Sequence, residues 1–142
     1  MYGFKVLGCA VGMPEIRTEV AGGTIAEGDI VKFSSGAIVV GTAGAAIEGV
    51  ALEAATTGET VRYVTGERLR VLADNDNNTT TFAATHEGTN FDMVGTTGAM
   101  QIDTSSTGAT GQFRCIKYNP QGYGLQYDSD TSIGLFEVAE RA

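Results

Sequence analysis

The chain has 142 residues, of which 42% are hydrophobic, 18% are charged and 20 are glycine, and its formal net charge is −8. That length suits one domain with a hydrophobic core of its own, so folding requires neither a disulfide nor a metal. An acidic chain without a Lys/Arg cluster is poorly suited to nucleic acid, whose phosphates need cations, and to anionic membranes.

Residues 1–26 contain apolar side chains without a clean period, interrupted by Pro14 and by Gly22-Gly23. They read as an extended N-terminal arm with short strands, and residues 27–142 as the compact β domain. The apolar run near Cys9 is short and lacks a basic region before it, so it does not read as a signal peptide. No stretch approaches the ~18 consecutive apolar residues of a membrane span. These features point to a protein assembled inside a cell.

From Glu27 the pattern is regular. "EGDIVKF" (Glu27 to Phe33) reads as a strand, "SSG" as a turn and "AIVVG" (Ala37 to Gly41) as the returning strand of a hairpin. "GVALEAATTGETVRYV" (Gly49 to Val64) begins like a helix, with Ala, Leu and Glu. The Thr57-Gly58 turn signal leaves too little length for one, since lone helices below about 12 residues are marginal. Gly49 to Glu53 is therefore expected to be a strand, Ala54 to Glu59 a turn and Thr60 to Val64 a strand. "LRVL" (Leu69 to Leu72) is the next strand, and Asp74 to Thr81 a polar surface loop. A short turn in "AATHEGT" precedes a strand over Asn90 to Val94. "AMQID" follows as a strand and Thr104 to Gly111 as a loop. "QFRCIKY" (Gln112 to Tyr118) alternates cleanly, "NPQGYG" turns, and "SIGLFEVA" (Ser132 to Ala139) is the last strand. Short strands separated by polar turns, with no fixed repeat, predict a mainly β fold: a small antiparallel β-barrel or sandwich with little helix.

The chemistry-bearing residues are sparse. "DNDNN" (Asp74 to Asn78) begins like a calcium loop, but Thr79 and Thr85 stand where Gly and a bidentate Glu are needed. It reads as a solvated turn. His86 is the only histidine, and with Glu87 alone it falls short of the three or four convergent ligands of a metal site. A nucleophile–base pair of Cys115 and His86 is the enzymatic alternative. Cys9 and Cys115 read as free buried thiols, with a single disulfide between them as the alternative. No glycine pattern forms a phosphate loop. Tyr118, Tyr123 and Tyr127 offer a contact surface or, more simply, packing. The expectation is a non-enzyme without cofactor, metal or catalytic residues.

The arm is the most informative remaining feature. Tyr2, Phe4, Val6, Leu7 and Val11 are apolar and precede the first regular strand. Such an arm either folds back on its own domain or docks on a partner by strand addition. The sequence favours docking, and these five residues are the candidate partner-binding set. On that reading, removing residues 1 to about 20 leaves a folded domain that no longer attaches.

The stretch Glu27 to Glu67 resembles the central part of tailed-phage capsid decoration, or cement, proteins. The matching words are Gly28-Asp29-Ile30-Val31, then Gly49-Val50-Ala51-Leu52-Glu53-Ala54-Ala55, Gly58-Glu59-Thr60-Val61 and Gly66. Ala84 to Asp103 and the closing "SIGLFEV" are similar to later segments of the same proteins. Residues 1–26 fall outside the resemblance. It implies a β-tulip-like decoration domain that commonly sits as a homotrimer on the outer surface of an icosahedral head, assembled in the host cytoplasm. Its partner would be the major capsid protein, with no nucleic acid or membrane involved. Other readings are a tail, fibre or host-adhesion β module of a virion, and a cellular surface-layer or pilus subunit.

Overall fold

A computed structural model describes residues 3–76, 82–107, 111–118 and 133–139, with Ser106 and Thr107 as backbone only. In chain order the strands are β1 (Lys5–Cys9), β2 (Glu15–Val20), β3 (Ile30–Ser34), β4 (Ala37–Val40), β5 (Gly49–Ala51), β6 (Thr60–Thr65), β7 (Leu69–Asp74), β8 (Asn90–Val94), β9 (Gln101–Thr107), β10 (Phe113–Lys117) and β11 (Ile133–Val138). Among the described residues the single helical element is a 3-10 turn at Ala84–His86. The β3–β4 hairpin forms where the sequence places it. Ser34 pairs with Ala37 across a two-residue turn. Ser35 and Gly36 both take positive φ, 50° and 80°, as a primed turn matched to strand twist demands.

The strands form two sheets. One has six strands in the order β1, β7, β11, β10, β8, β9; the other has five in the order β2, β6, β5, β3, β4. Neighbouring strands within each sheet are antiparallel. Each sheet curls until distant parts meet at one parallel bridge, Ala21 with Ile38 and Asn75 with Ile102. The result is an open sandwich, not a closed barrel.

Strand alternation explains how the five-stranded sheet is buried on both faces. Ile30, Val50 and Val64 point into a core shared with Val71, Phe91, Met93, Ile102, Phe113 and Phe136 of the six-stranded sheet. Their sequence neighbours Val31, Ala51 and Tyr63 point the other way, into a second cluster closed by Ala21, Ile25 and Ala55. This accounts for the alanine patch. Ala51 stands opposite Tyr63, and Ala55 bridges Ile25. The small side chains let the loop after β5 close over that cluster.

Two buried polar side chains tie loops to this frame. Asp29, fully buried, accepts hydrogen bonds from the Ala26 and Gly98 amides, both at 2.9 Å. The Asp of the "EGDIVKF" segment thus belongs to a turn that precedes the strand, and it fastens the β8–β9 connection. Gln112 accepts from the Met93 amide at 3.1 Å and donates to the Thr42 and Ala45 carbonyls. A buried amide satisfied on both ends stabilises the frame, whereas a half-satisfied one would weaken it.

The N-terminal segment folds back on its own domain. β1 pairs with β7 and β2 with β6. The run β1–β2 therefore lies antiparallel to β6–β7 across both sheets, and the two connections pass side by side near Cys9, Pro14 and Gly66. Phe4 is buried and stacks on Phe113 at 5.0 Å between ring centroids. Residues 1–20 supply one strand to each sheet, which argues against a domain that folds without them.

Two loop assignments also change. Thr104 to Thr107 continue β9 instead of opening a loop. Asp74 ends β7 opposite Ile133, and Asn75 is buried, so the start of "DNDNN" is sheet and not solvated turn. Asp76 accepts from both the amide and the hydroxyl of Thr104. Residues 77–81, the "NPQGYG" turn, Tyr123 and Tyr127 lie outside the described residues.

Candidate functional site

Exposed large hydrophobic residues concentrate in one stretch of the chain. Of the six large hydrophobic residues that stand exposed among the described residues, five lie in the first 20 positions: Leu7, Val11, Met13, Ile16 and Val20. The sequence explains why they have no core to enter. Gly8, at φ 153°, sits where the β1–β7 register shifts between Val6 and Gly8. That bulge turns Leu7 outward while Val6 packs against the shared core. Gly12, at φ 70°, turns the chain between the two strands and leaves Val11 50% and Met13 88% exposed at the corner. Scattered surface hydrophobics are normal, but a contiguous group marks an interaction surface.

Beside this corner an open groove of about 680 Å³ runs between β1 and the β5–β6 face, lined by Phe4, Val6, Leu7, Pro14, Ile16 and Leu52 among others. Glu27 is the acidic residue on its wall. On the opposite face of β2, Arg17 pairs with Glu15 at 3.2 Å and with the buried Glu48 at 3.5 Å. Tyr63 lies beneath them. Burial first, then the charges of Glu48 and Glu19, push its phenol above the usual range. Arg17 opposes that shift but makes no hydrogen bond of good geometry to the hydroxyl.

The five arm residues singled out from sequence divide. Val6 borders the core, Leu7 and Val11 are exposed, Phe4 is a core residue that offers no free surface, and Tyr2 lies outside the described residues. Met13, Ile16 and Val20 were missed. Ile16 and Val20 are single apolar positions in the polar word "EIRTEV", and only the edge position of β2 exposes them.

The Cys–His alternative fares differently. His86 is half-buried, its Nδ1 accepting from the Ala83 amide at 3.0 Å, with its ring edge-on to Phe82 and Phe91. Cys115 is a free, buried thiol. Burial first, then Glu87, pushes it up to about 12. A group with that value is about one part in ten thousand thiolate at pH 8. It is therefore expected to resist a disulfide-exchange reagent at pH 8 until the protein is denatured. Rapid native-state labelling of Cys115, read by peptide mass spectrometry, would contradict this. Among the described residues no group of three or more His, Cys, Asp or Glu is placed to hold a metal ion, and no helix is long and apolar enough to cross a membrane.

No protein-family model matches the chain, and no curated protein matches it.

Proposed function

We propose that this chain is a structural virion protein that binds the outer surface of an icosahedral phage head and stabilises the lattice of its major capsid protein, acting as a homotrimer. The observation that carries the reading is the exposure of Leu7, Val11 and Met13 on β1 and the β1–β2 connection, whose flanking strands are paired into both sheets. The resemblance of residues 27–138 to decoration proteins supports it. Apolar residues on a connection held between paired strands suit docking onto a folded neighbour, because less ordering entropy is lost on binding. A partner bound only to the folded lattice raises that lattice's stability by mass action, and repeated contacts within a trimer add avidity. The assignment places the protein on the head exterior after assembly in the host cytoplasm, without cofactor or catalysis.

The variant Val11→Asp/Met13→Asp tests the reading. Both positions are exposed, so the thermal transition is expected to stay within a few degrees of the wild type. Binding to undecorated heads is expected to fall by about tenfold or more, as loss of central apolar contacts does at other interfaces. Unchanged binding would overturn the assignment of this corner.

A further inference from the structure

The six-stranded sheet faces the core through Val71, Phe136, Phe113 and Phe91. Successive residues of a strand point to opposite faces, so their chain neighbours Arg70, Glu137, Arg114 and Asn90 point outward. Strand pairing sets these four in one row: Arg70 of β7 stands opposite Glu137 of β11, Glu137 opposite Arg114 of β10, and Arg114 opposite Asn90 of β8. Arg68, in the turn before β7, reaches the same row. Its Nε lies 2.6 Å from one oxygen of Glu137, and the Arg70 Nε lies 3.4 Å from the other. The sheet thus gathers three guanidiniums, one of them from a distant part of the chain, around one carboxylate in a protein of net charge −8.

The cluster is built as a fixed site. Glu137 is buried, its side chain 7% exposed, and it holds both arginines by their Nε atoms. A guanidinium held at Nε keeps its two terminal nitrogens for an end-on, bidentate grip on another carboxylate. Arg68 takes φ 54°, in the left-handed region that suits Gly or Asn better than a long side chain. A long side chain on strained backbone points to a role for that side chain. Arg114 is exposed. Although it stands opposite Glu137, it makes no ion pair among the described residues.

We propose that Arg68, Arg70 and Arg114 form a carboxylate-binding surface that docks an acidic segment of a partner polypeptide, with Glu137 as the positioning residue that aims the first two. The surroundings narrow the partner's chemistry. Gly8 stands opposite Arg70, and the Arg68 carbonyl accepts from the Ala10 amide. The arginines therefore border the stretch that exposes Leu7, Val11 and Met13. The segment that fits carries carboxylates beside apolar side chains, and arginine next to apolar contacts is a common interface anchor. Nucleic acid fits less well, because three cations neutralise few phosphates and the rest of the chain repels a polyanion. A second copy fits less well because two chains of net charge −8 repel each other. The inference does not depend on the capsid reading.

The test uses the purified full-length chain and a dye-labelled peptide that carries several glutamates beside leucines, read by fluorescence anisotropy. Saturable binding is expected at low salt, weakening as salt rises. The same peptide with glutamine in place of glutamate is expected not to bind. Arg114→Gln, at an exposed position, is expected to keep the thermal transition and to weaken binding about fivefold or more. Arg70→Lys/Arg114→Lys keeps the charge but removes the planar fork, and is expected to weaken binding by about as much. Glu137→Gln leaves the cluster more positive yet frees Arg68 and Arg70, and is also expected to weaken binding in protein that still melts cooperatively. Absence of saturable binding, or equal binding of the glutamine peptide, would overturn the surface. Unchanged binding by the lysine variant would reduce it to diffuse attraction, and tighter binding by Glu137→Gln would overturn the positioning role. A short DNA duplex that binds as tightly as the peptide, or a low-salt dimer lost in Arg114→Gln, would overturn the choice of partner.

Discussion

Deletion of residues 1–20 is expected to abolish the cooperative fold. The deletion removes β1 from the six-stranded sheet and β2 from the five-stranded sheet, along with the only run antiparallel to the β6–β7 crossing among the described residues. It also empties the position of Phe4, which is 4% exposed and stacked on Phe113. Loss of one buried Phe side chain alone typically costs about 3–5 kcal/mol, comparable with much of the 5–15 kcal/mol that holds a domain folded. The truncated chain should lose its near-ultraviolet circular dichroism and its sharp thermal transition. The milder Phe4→Ala change should retain a transition, shifted down by about ten degrees or more. A truncated chain that melts like the full-length protein would show that the N-terminal strands are an appendage after all.

The second large effect is expected at Gly49. A Cβ placed there would overlap the carbonyl oxygen of Val64 and stand 3.0 Å from the Tyr63 ring. The obstructing atom is backbone within the adjacent strand β6, so it cannot move without disturbing the ladder. Gly49→Ala is therefore expected to cost about 3 kcal/mol or more, measured as a drop in the denaturant midpoint. Gly58→Ala is the internal comparison. A Cβ there meets nothing within 4 Å, but φ is +89°, so the cost is that of an L side chain in left-handed backbone, about 1–2 kcal/mol. Equal effects at the two sites would contradict the close packing of β5 on β6.

How far each feature could be read from sequence follows from how local its cause is. The Ser35-Gly36 turn and the inward alternation of Phe113 and Cys115 depend on neighbours in the chain, and both were legible; the expected continuation to Lys117 fails because the β10–β11 register shifts after Cys115. The strand nature of Gly49 to Ala51 was legible because Thr57-Gly58 forbids a long helix. The roles of Asp29 and Gln112 were not, because their partners, Gly98 and Thr42, are about 70 residues away. β1 was obscured by its bulge, which breaks the period of two, and β2 by polarity. "EIRTEV" is polar because it is an edge, and an edge is recognised only once the sheet is known. For the same reason an apolar N-terminus was visible in sequence, but not the division of its residues between Phe4 in the core and Val11 and Met13 at the surface.

The measurement that bears most directly on the proposed role is co-sedimentation of the purified chain with undecorated icosahedral phage heads, followed by a copy count per particle. The account predicts saturation at a fixed stoichiometry in multiples that fit threefold positions, with a raised thermal stability of the decorated head. Heads that sediment without the chain at any concentration would contradict it.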